Sequence, residues 1–260
     1  MRKNTTKEKL KQGQPVIGVF CNIGAPVLVE MLGALGYDFV ILDAEHGPQG
    51  VETVEHMVRA ADAVGVTTVT RIAVNLPQNL LRYLDAVSLG VQIPMVNTGE
   101  QAQQVVDSVK YPPVGKRGLA GVRANLFGLE RPLTEYVRMA NEETLVVVQV
   151  ETTQAMQNIK KISAVDNVDV VFIGPTDLSS SMGYPGQPTH PEVLQAIEDL
   201  GKEIIAAGKA VGTIAADATA YRRWRDLGFQ YLCTGITGFV VQAGRAYLEG
   251  VRQQEQERLE

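Results

Sequence analysis

LVVVQVE at residues 145–151 and VDVVFIGPTD at residues 168–177 share one pattern, in which an apolar run leads to an acidic side chain. Continuous apolar runs of this length, rich in Val and Ile, are typical of parallel strands that are buried on both faces. Because neighbouring parallel strands end at the same edge of a sheet, Glu151 and Asp177 are expected to emerge side by side. Hard cations such as Mg²⁺ bind one or two protein carboxylates and keep water and substrate as other ligands. The two stretches therefore predict the outline of a divalent-metal site.

The same pattern continues along the whole chain, where apolar, β-branched runs alternate with stretches of helical periodicity. The predicted strands are 16–21, 39–42, 67–72, 90–96, 145–150, 168–173, 211–215 and 231–234. The predicted helices are 27–35, 51–64, 80–87, 102–109, 155–162, 191–207, 218–227 and 239–250. Eight strand–helix units in a chain of this length favour a closed (β/α)₈ barrel, in the α/β class, over an open doubly wound sheet.

Composition narrows the class of protein. The chain has 260 residues, 45% of them hydrophobic and 20% charged, with a net charge of −5 and no linker, so we expect one domain over residues 1–260. No basic run points to nucleic acid, and no apolar stretch reaches membrane-spanning length. The polar, charged N-terminus does not resemble a secretory signal, and Cys21 and Cys233 lie in strand-like runs as reduced core residues. A cytoplasmic protein is the expectation.

In a (β/α)₈ barrel, the catalytic groups lie at the carboxyl ends of the strands. Here those positions hold His46, Arg71, Glu151 and Asp177. Each has a structural explanation when taken alone: the histidine as a packing residue, the arginine in an ion pair with Asp43 or Glu45, and the two acids as helix caps. Their coincidence at one barrel mouth favours a catalytic site.

Lysine is absent from the positions that covalent imine chemistry requires. None of the ten lysines lies at the carboxyl end of a predicted strand, where a Schiff-base mechanism needs a partly desolvated amine. The chain also lacks a Gly-x-Ser-x-Gly motif and a Walker A loop. Covalent imine chemistry is therefore disfavoured.

Four separated segments carry a resemblance to a known family. FVILDAEH (39–46), YPPVGKRG (111–118), QVE (149–151) and FIGPTDLS (172–179) resemble the HpcH/HpaI aldolase family, in order and spacing, from about residue 10 to residue 248. The resemblance implies a barrel of the phosphoenolpyruvate/pyruvate-domain type. It also implies reversible cleavage of a 4-hydroxy-2-oxo acid to pyruvate and an aldehyde, by way of a metal-stabilised pyruvate enolate.

The resemblance also implies roles for individual residues. Glu151 and Asp177 would hold Mg²⁺, Mn²⁺ or Co²⁺, with no organic cofactor. Arg71 would contact the 2-oxo oxygen of pyruvate, and His46 would transfer protons with the help of Asp43 and Asp85. The remaining pyruvate-site positions would be Gln149, Gly174, Pro175, Thr176 and Ile214.

Two departures from the family pattern concern the substrate. Thr176 occupies a position where alanine or asparagine is common. The loop arginine that reads a distal carboxylate is displaced to Arg123, and Asn125 stands near its expected place. Recognition of succinic semialdehyde is therefore no better supported than that of a neutral or hydroxylated aldehyde, and Arg123 fits an exposed loop charge equally well.

The resemblance implies a hexamer, built as a trimer of dimers that exchange the C-terminal helix, here 239–250. The loop 111–132 and Asp85 would then complete a neighbour's site. The apolar residues of 239–248 fit equally well with closing the barrel of one chain. Two other functions stay open, namely an oxaloacetate decarboxylase that uses the same site and a non-catalytic barrel that binds 2-oxo acids.

Overall fold

Eight parallel strands pair in chain order, and the last pairs with the first to close a barrel. The structure is a computed structural model that describes residues 1–259. The strands are β1 (Val16–Cys21), β2 (Phe39–Asp43), β3 (Thr67–Arg71), β4 (Gly90–Ile93), β5 (Leu145–Val150), β6 (Val170–Ile173), β7 (Ala210–Ile214) and β8 (Tyr231–Gly235). The predicted (β/α)₈ barrel is confirmed.

The helices surround this barrel and follow the predicted alternation. They are α1 (Thr5–Lys11), α2 (Pro26–Ala34), α3 (Val51–Val64), α4 (Pro77–Asp85), α5 (Gly99–Val109), α6 (Leu133–Glu143), α7 (Thr153–Gln157), α8 (Ile159–Ser163), α9 (Pro175–Ser181), α10 (Pro191–Ala206), α11 (Ala218–Asp226) and α12 (Ile236–Leu259). A short 3₁₀ helix, Arg123–Gly128, lies inside the segment 111–132.

Several boundaries differ from the predicted ones. The predicted strand 90–96 ends at Ile93, because Pro94 has no N–H to donate to the ladder and Met95 has a φ of 56°. The predicted helix 155–162 is two short helices that meet at Asn158. The last helix is 24 residues long, not the 12 of 239–250. Helices α1, α6 and α9 were not predicted.

Aromatic side chains fill the inside of the barrel. The rings of Phe39 and Tyr231 stack with their centroids 4.1 Å apart, and the ring of Phe172 meets Tyr231 edge-on at 6.2 Å. Any side chain at Gly18 would overlap the ring of Phe39, so this strand position requires glycine. The interior is therefore a packed core up to the carboxyl ends of the strands.

Helix α1 closes the opposite, amino-terminal end of the barrel with polar contacts. Thr6 donates to the carbonyl of Asp38 at 2.9 Å, and the Lys7 ammonium contacts the carbonyl of Thr144 and the carboxylate of Asp169, each at 2.9 Å. Helix α1 thus covers the amino-terminal end of the barrel. Among residues 1–259, no helix combines the length and the apolar character that crossing a membrane requires.

Candidate active site

A cavity of about 410 Å³ opens at the carboxyl ends of the strands. Eight of the residues predicted for the site line it, namely His46, Arg71, Gln149, Gly174, Pro175, Thr176, Asp177 and Ile214. Phe20, Phe172 and Gly235, from the ends of β1, β6 and β8, complete its wall. The barrel geometry therefore gathers most of the predicted residues around one space.

Arg71 is held rigidly at the base of this cavity. Its strand neighbour in the β2–β3 register is Asp43, whose carboxylate accepts hydrogen bonds from Nε at 2.9 Å and Nη2 at 2.7 Å. The guanidinium lies over the ring of Phe20, 4.6 Å from its centroid. No residue of the 259 described accepts a hydrogen bond from Nη1, so a fixed N–H donor remains for a substrate oxygen.

The Asp43 carboxylate accepts hydrogen bonds from Arg71 and from the loop after β2, and none from the ring of His46. Its Oδ1 also accepts the backbone N–H groups of Glu45 and His46, at 3.1 and 3.2 Å. Burial alone would raise the pKa of Asp43, but hydrogen bonds and charge from Arg71 outweigh it, so this pKa is lowered. Asp43 therefore stays ionised and fixes both the guanidinium and the turn that carries the histidine.

His46 projects into solvent at the mouth of the cavity, with 63% of its side chain exposed. Glu45 is its nearest carboxylate, with Oε2 3.9 Å from Nε2 of the histidine and 3.2 Å from Nε of Arg71. Burial raises the pKa of Glu45, while the charges of Arg71 and His46 oppose that rise. Glu45 is not among the residues predicted for the site, although its place two residues after the end of β2 is a signal for it.

Glu151 lies beneath the cavity and is only 2% exposed. Its Oε1 accepts the backbone N–H of Met95 at 2.8 Å, and its Oε2 accepts a hydrogen bond from Nε2 of Gln149. Burial raises the pKa of Glu151, and the nearby charges of Asp177 and Glu45 raise it further, against the effect of the two hydrogen bonds. A carboxylate in this setting is costly to ionise unless a cation is present.

The residues present fit a divalent cation. Neither Glu151 nor Asp177 forms an ion pair with any of residues 1–259, although both acids lie at the same rim. A side chain on Gly174 would come within 2.5 Å of Oε2 of Glu151, so glycine keeps this oxygen accessible. No group of three or more His, Cys, Asp or Glu with metal-site spacing occurs in that same part of the chain. Two carboxylates suit a hard cation that keeps open positions.

Met95, which the sequence analysis did not select, supports Glu151 through its backbone. A positive φ of 56° is uncommon for a residue with a side chain, and such backbone strain clusters at functional sites. Here it directs the backbone N–H of Met95 at the buried carboxylate. Nothing in the local sequence beyond Pro94 marks this position.

Three residues that the sequence analysis considered lie away from the cavity of their own chain. Asp85 pairs with Arg117 at 2.8 Å, and Arg123 pairs with Asp62 at 3.1 Å. Asn125 is buried, where its side chain donates to the carbonyl of Ala120. Within one chain, neither Asp85 nor Arg123 reaches His46 or Arg71, because ion pairs on the outer helices hold them.

Comparisons with known proteins agree with this geometry. A hydroxypyruvate/pyruvate aldolase of Cupriavidus necator is 38% identical over 90% of this chain and 86% of its own. A 4-hydroxy-2-oxo-heptane-1,7-dioate aldolase of Salmonella typhimurium is 37% identical over 93% of this chain and 92% of its own. A solved HpcH/HpaI aldolase/citrate lyase family protein from Burkholderia cenocepacia J2315 has a TM-score of 0.91 at 32% identity, covering 96% of this chain and 100% of that one.

The model of one protein family covers nearly the whole barrel, since it matches residues 16–243. The matched range includes every residue that lines the cavity and both candidate metal ligands. Identity above 35% to full-length relatives, together with this match, identifies the family: the chain belongs to the HpcH/HpaI aldolase/citrate lyase family.

Proposed function

We propose that this protein is a divalent-metal-dependent pyruvate aldolase that reversibly cleaves a 4-hydroxy-2-oxo acid to pyruvate and an aldehyde. The observation that carries the proposal is the fixed Arg71 in a cavity that also presents His46 and Asp177, above a buried and unpaired Glu151. Such a set can bind an anion, stabilise a developing oxyanion and move a proton. Substrate binding alone would need no base at the cavity mouth.

Glu151 and Asp177 would hold the cation, and Mg²⁺, Mn²⁺ and Co²⁺ all suit oxygen ligands of this kind. When bound, it would supply Lewis-acid stabilisation of negative charge that develops on the 2-oxo oxygen. The first turn of α9, at Pro175–Ser181, leaves backbone N–H groups without intrahelical acceptors, and these suit the substrate carboxylate.

Cleavage requires loss of the C4 hydroxyl proton and breakage of the C3–C4 bond. His46, directly or through a water molecule, accepts that proton as the aldehyde forms. The bonding electrons pass to C3 and delocalise onto the 2-oxo oxygen, where Arg71 donates a hydrogen bond. Protonation at C3 then completes pyruvate. A preorganised donor at such an oxygen contributes about 3–4 kcal/mol to lowering the barrier.

The same residues bear on the choice of aldehyde. Arg71 is the one lysine or arginine among the residues that line the cavity, and Arg123 is held elsewhere by Asp62. A distal carboxylate on the aldehyde would therefore find no cation within this chain's own cavity. Neutral or hydroxylated aldehydes such as glycolaldehyde or lactaldehyde fit better, and Thr176 offers them a hydroxyl.

The test is pyruvate release, coupled to lactate dehydrogenase, from a panel of 4-hydroxy-2-oxo acids and from oxaloacetate. Each assay would be run with EDTA and then with added Mg²⁺, Mn²⁺ or Co²⁺. The expected result is metal-restored pyruvate release, fastest with substrates that yield neutral aldehydes. Release from oxaloacetate alone would make the protein a decarboxylase. A folded protein that binds pyruvate without releasing it from any substrate would be a binding protein.

Self-association is part of the proposal, in the form of a hexamer whose subunits exchange α12. Ile236 is the one buried residue of this 24-residue helix. Phe239, Val240, Val241 and Leu248 are all more than a third exposed. A helix with so much exposed apolar surface needs a partner in water, and a second copy of the chain is the partner that the family relationship favours.

A further inference from the structure

A hydrogen-bonded chain crosses the inside of the barrel and ends at Glu151. Tyr231 of β8 donates to Oε1 of Gln92 of β4 at 3.4 Å. Nε2 of Gln92 donates to Oε1 of Gln149 at 2.8 Å, and Nε2 of Gln149 donates to Oε2 of Glu151. All four side chains are at most 3% exposed, so water does not compete for these bonds.

Elementary donor and acceptor rules give this chain a single direction. An ionised Glu151 can only accept, so Gln149 must turn its NH₂ group toward it. The carbonyl oxygen of Gln149 then faces Gln92, which must supply its own NH₂ group. This leaves the oxygen of Gln92 facing Tyr231, whose hydroxyl must donate. Burial raises the pKa of Tyr231 well above its ordinary value, so this phenol keeps its proton.

The direction of the chain determines what Gln149 offers to a ligand. Its single oxygen is occupied by Gln92, and one of its two N–H groups is occupied by Glu151. Its amide nitrogen lies beside Gly174 at the cavity wall, where an added Cβ would come within 3.1 Å of it. The second N–H is therefore the group that Gln149 can present to an oxygen atom of the substrate.

We propose that Gln92 and Tyr231 are positioning residues, which hold Gln149 in the one amide orientation that donates to both Glu151 and the substrate. This inference rests on the proposed function, because it takes Glu151 to be a cation ligand. A reversed Gln149 would direct its carbonyl oxygen at the carboxylate and at the substrate oxygens, and both contacts would be repulsive. Residues that orient a metal ligand by hydrogen bonding typically raise metal affinity 10–100-fold, as seen when they are mutated.

The test compares Gln92→Met, which keeps the volume without the amide, with Tyr231→Phe and with the double variant. Mn²⁺ affinity would be measured by electron paramagnetic resonance, pyruvate affinity of the Mn²⁺-loaded protein by calorimetry, and Tm in parallel. Gln92→Met should weaken Mn²⁺ binding about 10–100-fold and also weaken pyruvate binding. Tyr231→Phe should have a smaller effect, because Gln92 could then adopt either orientation.

The double variant separates positioning from stability. Gln92→Met alone leaves both the Tyr231 hydroxyl and the oxygen of Gln149 buried without partners, which lowers Tm; removing the hydroxyl as well should recover part of the lost Tm without restoring Mn²⁺ affinity. Ser88→Ala is the matched control, because it removes the buried 2.9 Å hydrogen bond between Thr70 of β3 and Ser88, which lies just before β4, and should lower Tm alone. Unchanged Mn²⁺ and pyruvate affinities in Tyr231→Phe and the double variant would overturn the proposal. Failure of the unmodified protein to bind Mn²⁺ would instead contradict the proposed metal site, on which this inference rests.

Discussion

At the scale of single residues, the chemistry of the site depends on which donor and acceptor atoms already have hydrogen-bond partners in the protein. Two nitrogens of Arg71 are bound to Asp43, and both oxygens of Glu151 accept hydrogen bonds from the protein. What remains for a substrate is Nη1 of the arginine and the second N–H of Gln149, and what remains for a cation is the exposed carboxylate of Asp177 and the unused lone pairs of Glu151. At this scale, function follows from the donor and acceptor groups that still have bonding capacity for a ligand.

Replacing Arg71 with alanine should reduce turnover far more than metal binding. The guanidinium stabilises charge that develops during the reaction, so its loss should lower kcat by about 10²–10³, whereas the Kd for Mn²⁺ should change little. Steady-state kinetics and Mn²⁺ titration would be measured side by side, with the exposed Arg82→Ala on α4 as control. Equal losses of kcat and Mn²⁺ affinity would contradict an oxyanion role.

Gly174→Ala should damage the metal site through sterics alone. The new methyl group would lie 2.5 Å from Oε2 of Glu151 and must displace that carboxylate, so Mn²⁺ affinity should fall about 10-fold or more. Gly235→Ala is a matched control, because Gly235 also lines the cavity but an added Cβ there meets nothing within 4 Å. Equal Mn²⁺ affinities in the two variants would refute the crowding argument.

Among the elements, polar contacts join helices far apart in sequence at the closed end of the barrel. Lys110, directly after α5, donates its ammonium to the carbonyls of Asn141 and Thr144, each at 2.7 Å. The Lys7 ammonium of α1 contacts the same Thr144 carbonyl. Burial, reinforced by the charge of Lys7, lowers the pKa of Lys110 to about 7.

This shift predicts how stability depends on pH. Because the folded-state pKa lies below the unfolded value of about 10.4, folding disfavours the charged form, and stability should rise as pH increases from about 7 to about 10. Lys110→Met should remove that rise. Tm would be recorded against pH for both proteins, with Lys116→Met, an exposed lysine nearby, as control. Parallel curves for parent and Lys110→Met would contradict the prediction.

The same elements show what could be predicted from sequence. Strands that are apolar on both faces reveal themselves by composition, so the barrel and the residues at its mouth followed from the one-dimensional pattern. Helix α1 was missed because Asn4, Thr6 and Lys7, which it buries, are polar and give no apolar periodicity. The contact of Gln92 with Gln149 and Tyr231 crosses the barrel, and no local signal in a strand reports such a partner.

At the scale of the whole molecule, α12 is the element that a single chain leaves incomplete. Its one buried residue is Ile236, at its start. Asp85 and Arg123 also lie away from their own cavity, in ion pairs with Arg117 and Asp62, and could serve only a neighbour's cavity in the proposed assembly. The complete catalytic unit is therefore expected to be larger than one chain.

Charged substitutions on α12 should test this. Val240→Glu combined with Leu248→Glu should prevent the proposed hexamer from forming, because both residues are about half exposed in one chain and would be buried in that assembly. Light scattering after size exclusion would compare the mass with the 28.2 kDa of one chain. Gln254→Glu, on the same helix, is the control. An unmodified protein that elutes as a monomer would contradict the assembly.

The closure of the barrel has a consequence for synthesis in the cell. Val16 in the first strand pairs with Tyr231 in the last, so the ring cannot form until nearly the entire chain has left the ribosome. At typical translation rates, this takes roughly 10–50 s for a chain of this length. During that interval, β1 exposes an unpaired edge of apolar residues, the kind of edge that pairs with other chains. The nascent chain is therefore open to such pairing before the finished barrel exists, and slower growth at low temperature should raise the yield of folded protein.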